Sequence, residues 1–98
     1  MDQEHLYVVT YDIADEKRWR AVFKLMHGYG EWLQLSVFQC RLHRSRYIEF
    51  VGKLEAAISR KEDSVLIIDI GVADSVSPRL QSLGKRVIVP IERKPLII

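Results

Sequence analysis

Cys40 is the only cysteine in 98 residues, which excludes an internal disulfide and a cysteine-based zinc site within one copy. Its plain reading is a small buried strand residue. His5, His27 and His43 show no paired metal-ligand spacing and read as surface or helix-end residues. No apolar run approaches the roughly 20 residues that span a bilayer. The start, Met1-Asp2-Gln3-Glu4-His5, has neither the basic nor the apolar region of a signal peptide, so a cytoplasmic protein without membrane contact is expected. A Gly-x-x-x-x-Gly-Lys phosphate loop, a dinucleotide fingerprint and a Gly-x-Ser-x-Gly elbow are all absent. Nucleotide-driven chemistry is therefore not indicated. Nor is there an internal repeat, low-complexity segment or linker.

What is there is one modest core's worth of chain: 48% hydrophobic and 29% charged residues fit a single domain over 1–98. The net charge is only +2. It is unevenly spread, however, with ten lysines and arginines against four glutamates between Glu16 and Lys61. Such an excess suits either phosphate contacts or solvated helix faces.

The run Leu6-Tyr7-Val8-Val9-Thr10-Tyr11 reads as a buried strand closed by Asp12. Asp15 then caps a helix whose apolar face is Trp19, Val22, Phe23 and Met26, ending at Gly28-Tyr29-Gly30 through glycine's tolerance of left-handed backbone. Glu31 to Leu42 reads as strand with a turn near Leu35-Ser36. Ser45 is the expected cap of a second helix, with Tyr47, Phe50, Val51, Leu54 and Ile58 as its stripe. A fourth strand, Val65 to Ile70, is followed by an irregular stretch with a helical turn at Pro78-Arg79-Leu80. A last strand, Val87-Ile88-Val89, leads into a tail over 90–98 that is expected to pair with a partner.

The order β-α-β-β-α-β predicts a ferredoxin-like α+β sandwich, with an additional C-terminal strand and both helices on one side of an antiparallel sheet. The first and fourth strands are apolar on both faces, so the side without helices should not meet water. A second copy is the simplest cover, which predicts an isologous homodimer.

Asp12 has two readings. It either caps the first helix or the strand-helix loop, or, with Asp15 better placed as cap, it offers a carboxylate at the sheet rim. In a dimer packed sheet against sheet, two such carboxylates, several waters and a phosphate would satisfy a magnesium ion and support phosphodiester hydrolysis. Ser36 is a turn residue near the strand ends, within reach of a phosphate there. Asp15, Asp63 and Asp74 read as caps or turn residues, and Asp69 as hydrogen-bonded or loop-facing.

The segment Tyr7-Val8-Val9-Thr10-Tyr11-Asp12-Ile13, followed by Arg18, Tyr29-Gly30 and Gln34-Leu35-Ser36-Val37-Phe38-Gln39-Cys40, resembles the small CRISPR-associated adaptation nucleases. The likeness extends to Asp63-Ser64-Val65 and Leu83-Gly84. The resemblance implies a homodimeric, magnesium-dependent endonuclease acting on RNA or duplex DNA, and a second task as the dimer that bridges the CRISPR adaptation integrase during spacer acquisition. By position, it implies Asp12 as the metal carboxylate, Ser36 as a second catalytic residue, and Arg18, Arg20 and Phe38 as nucleic-acid contacts. Two departures stand out. Trp32 replaces an arginine that many members carry after Gly-Glu, and Gln39 replaces a glutamate after Val-Phe; loss of that arginine implies weak cleavage. A non-catalytic DNA-binding dimer and a toxin-type ribonuclease of the same fold are the alternatives.

Overall fold

The computed structural model describes residues 3–84. Alternation of apolar residues sets the first strand, β1 (His5–Asp12), with Tyr7, Val9 and Tyr11 turned into the core. A three-residue loop leads to helix α1 (Glu16–Tyr29), where the Asp15 carboxylate accepts the Arg18 amide at 3.0 Å as an N-cap. Strands β2 (Gly30–Gln34) and β3 (Val37–Leu42) form a hairpin, and helix α2 (Arg44–Ala57) leads to strand β4 (Ser64–Val72). The antiparallel sheet has the order β2-β3-β1-β4. This is the expected ferredoxin-like arrangement, with β1 at the centre.

The core lies between the sheet and the helices. Val22 and Met26 of α1 and Phe50 and Leu54 of α2 meet Val9, Phe38, Cys40 and Leu42 of the sheet. On the opposite face Val8 lies beside Ile68 and Thr10 beside Leu66. Leu66 and Ile68 are 59% and 43% exposed, so that face presents an uncovered apolar strip among the described residues.

Four local expectations change. The α1 terminus is not a left-handed glycine cap: Gly30 is extended (φ −157°) and its amide bonds the Met26 carbonyl as β2 begins. Glycine is needed there for another reason, because a Cβ would lie 2.5 Å from both Cys40 Sγ and the Gln39 carbonyl. The N-cap of α2 is His43, not Ser45, and it makes no side-chain cap bond. Only that one residue separates β3 from α2, which draws Ser45 into the first turn. The helical turn after β4 falls at Ala73–Ser75, where the Ala73 amide bonds the Glu4 carbonyl at 2.8 Å, rather than at Pro78-Arg79-Leu80. Finally, β4 reaches Val72 by a bulge: Leu6 faces Gly71 while Tyr7 faces Asp69. Gly71 carries the positive φ (128°) that this irregularity requires. The final strand and the 90–98 tail lie outside the described residues.

Candidate metal and phosphate site

Asp12 ends β1 opposite Ser64, the first residue of β4, and is exposed. Its backbone is held on both sides. Upstream, the Tyr11 amide donates to the Ser36 carbonyl at 3.2 Å; downstream, the Ala14 amide donates to Asp63 Oδ1 at 2.9 Å. The first of these bonds brings the β2–β3 turn, and Ser36 with it, to the rim occupied by Asp12. The turn is tight: Leu35 is left-handed (φ 44°) and its carbonyl accepts from Trp32 Nε1 at 2.8 Å.

The other described aspartates are all engaged. Asp15 caps α1, Asp63 is held by Arg18 and two amides, Asp69 accepts from His5 and the Gly71 amide, and Asp74 pairs with Arg41. Asp12 alone among them has a carboxylate without a hydrogen bond or ion pair to a described residue. A free, hard oxygen donor suits magnesium, which commonly takes one or two carboxylates plus water and phosphate oxygens. No group of three or more histidines, cysteines, aspartates and glutamates gathers among the described residues. Among the described residues, one chain would therefore bring the Asp12 carboxylate alone to such an ion.

Arg18 points elsewhere than expected. Its Nε donates to Asp63 Oδ2 at 2.8 Å, and its terminal nitrogen reaches Glu62 at 2.8 Å and Asp63 Oδ1 at 3.3 Å. The Asp63 side chain is completely shielded while that of Arg18 is 29% exposed. The guanidinium, helped by the Ser59 and Ala14 amides and opposed by burial, holds the Asp63 carboxyl well below the usual carboxylate range. Hydrogen bonds to Asp63 and then Glu62 raise Arg18 in turn. Arg20, by contrast, is 65% exposed and tied only to Glu16, one helical turn back, at 2.7 Å. Such a pair is worth about 0.3–0.5 kcal/mol, so Arg20 is free to turn to a phosphate.

Phe38 requires a correction. It has no exposed surface and packs edge-on against Phe23 and His27, with ring centroids at 5.8 and 5.1 Å. Its parity on β3 points it under α1, so its ring is core and is withdrawn as a nucleic-acid contact. Cys40 is likewise interior, and burial pushes its thiol up to about 12, which removes it as a nucleophile. Trp32 packs against the core. The site residue missed by sequence reasoning is Asp63. As a turn residue it carried no periodic signal, and its partners Ala14 and Arg18 lie 49 and 45 positions away.

A family model described as CRISPR associated protein Cas2 matches residues 5–75, from β1 through the turn after β4. The chain belongs to the Cas2 family. It is 50% identical over 95 residues to the CRISPR-associated endoribonuclease Cas2 of Geobacter sulfurreducens, covering 97% of this chain and 99% of the relative. It is 55% identical over 95 residues to the CRISPR-associated endoribonuclease Cas2 1 of Rhodospirillum rubrum, covering 97% and 92%. Among solved structures, Streptococcus pyogenes Cas2 superposes with a TM-score of 0.68 at 32% identity, over 81% of this chain and 99% of that one. A hypothetical protein from Thermus thermophilus gives 0.70 at 30% identity, over 83% and 92%. These overlays place the fold of this chain with that of solved Cas2 structures.

Proposed function

We propose that this Cas2 chain is a magnesium-dependent endonuclease of CRISPR adaptation, with RNA as the first substrate to test and duplex DNA as the second. The observation that carries this reading is the exposed Asp12 carboxylate, which alone among the described aspartates is left unengaged. Naming of the relatives as endoribonucleases supports RNA.

A homodimer completes the site. The uncovered strip with Leu66, Ile68 and Val8 supplies the apolar surface for sheet-to-sheet packing, and two-fold symmetry then presents two copies of Asp12 to one groove. Two unpaired carboxylates brought together repel, so the pair calls for a cation. A magnesium ion held by the two Asp12 carboxylates would supply polarisation of a phosphoryl oxygen and a bound water of lowered pKa. Arg20 orients the phosphate electrostatically, and Ser36, held at the rim through its own carbonyl, offers a hydroxyl to a phosphate oxygen.

The test uses purified dimer with RNA and with duplex DNA, with magnesium or chelator, beside Asp12→Ala. Magnesium-dependent cleavage lost in the variant is expected; cleavage that persists unchanged overturns the reading.

A second reading, bridging of the adaptation integrase on duplex DNA, is favoured by the exposed bases Lys17, Arg20 and Lys24 along α1. It coexists with the first. Integration in a reconstituted adaptation reaction should survive Asp12→Ala if this role is purely architectural, and failure with dimer and complex intact rejects that version.

A further inference from the structure

We propose that Asp63 is the positioning residue of the Asp12 site: its shielded carboxylate clamps the β1–α1 loop, and Arg18 braces that clamp instead of touching a phosphate. The inference rests on the reading of Asp12 as the metal carboxylate. Three residues, Ile13, Ala14 and Asp15, separate Asp12 from α1. The middle one is fixed by its amide bond to Asp63 Oδ1 at 2.9 Å. Oδ2 of the same carboxylate accepts the Ser59 amide at 2.7 Å and Arg18 Nε at 2.8 Å. One carboxylate therefore joins the loop that follows Asp12, the first turn of α1 and the connection between α2 and β4. The next residue, Ser64, is the strand partner of Asp12 itself. A fixed loop matters because an exposed aspartate with no partner of its own is oriented only through its backbone.

Charge chemistry explains why aspartate is needed. The carboxylate faces two backbone N–H groups and a guanidinium, all of them donors, and an ionised carboxylate is acceptor-only on both oxygens. Asparagine at 63 would turn an NH2 toward one of those donors and leave a buried clash in the cradle. Arg18 matches the carboxylate with its planar fork, which lysine lacks. A guanidinium already held by Asp63 and Glu62 at 2.8 Å each would have to abandon the clamp to serve a phosphate.

The experiment compares full-length dimeric protein with Asp63→Asn and Arg18→Lys, using Asp12→Ala as reference. Manganese binding without substrate is followed by electron paramagnetic resonance, and RNA cleavage gives both the KM for RNA and the magnesium concentration at half-maximal rate. Loss of outer-shell support is expected to raise the manganese Kd and the magnesium half-saturation about tenfold in both variants, with the KM for RNA unchanged. Manganese binding at the wild-type level in Asp63→Asn overturns the inference. So does an Arg18→Lys variant with raised KM and unaltered metal binding, because that pattern marks a direct phosphate contact. Where Asp63→Asn fails to fold, Arg18→Lys decides on the same two readouts. Asp12→Ala that retains wild-type manganese binding and cleavage refutes the underlying reading of Asp12, separately from the role of Asp63.

Discussion

Asp63 and Phe38 show how much a single side chain decides when it is fully enclosed. The folded-state pKa of Asp63 is depressed below that of an unfolded aspartate, about 3.9. Its stabilising contribution is therefore complete above that value and lost as pH falls through the lower folded one. Wild-type protein should keep the clamp in mildly acidic buffer and lose it only under strongly acid conditions. Asp63→Asn should melt at a lower temperature at pH 7 and show a flatter acid limb, as read by thermal denaturation across pH. Phe38→Ala leaves a cavity beneath α1 and should cost about 3–5 kcal/mol in urea unfolding. The RNA affinity of the fraction that remains folded should be unchanged, in keeping with a ring that never reaches the surface.

The elements follow from spacing that is plain in the chain, while their ends do not. Both helical stripes and the alternation in β1 were legible because each repeats the geometry of its own backbone. The cap of α2 was not, since Ser45 looked chemically right while the single-residue connection from β3 left room only for His43. The β2–β3 turn was legible in place but not in strain: nothing in Leu35-Ser36 announces a leucine at φ 44°. That residue is 66% exposed and contributes its carbonyl, not its side chain, to the Trp32 bond. A left-handed non-glycine residue costs about 1–2 kcal/mol, of which glycine's greater chain entropy offsets a part. Leu35→Gly should accordingly raise stability by up to about 1 kcal/mol in chemical denaturation.

For the whole molecule, the uncovered sheet face is the feature on which the proposed dimer rests. The double substitution Leu66→Lys with Ile68→Lys adds like charge to each copy at the proposed contact. It should abolish the proposed dimer and leave monomer in sedimentation, while the unfolding midpoint of the isolated chain changes little because both side chains are exposed within it. The placement of Asp12 and Ser36 at the rim was legible, because the β1 alternation stops at Asp12 and the hairpin turn falls at Leu35-Ser36. The Asp63 clamp was not, because it joins segments that only tertiary folding brings together.

The central place of β1 also sets a timetable. Its partner β3 leaves the ribosome soon after the hairpin turn, yet β4 and Asp63 emerge some 50 residues after the loop they secure. A nascent chain arrested before that point carries its acidic rim residue on an unanchored strand end. On the proposed reading of Asp12, nuclease competence would then wait until the last described strand has docked.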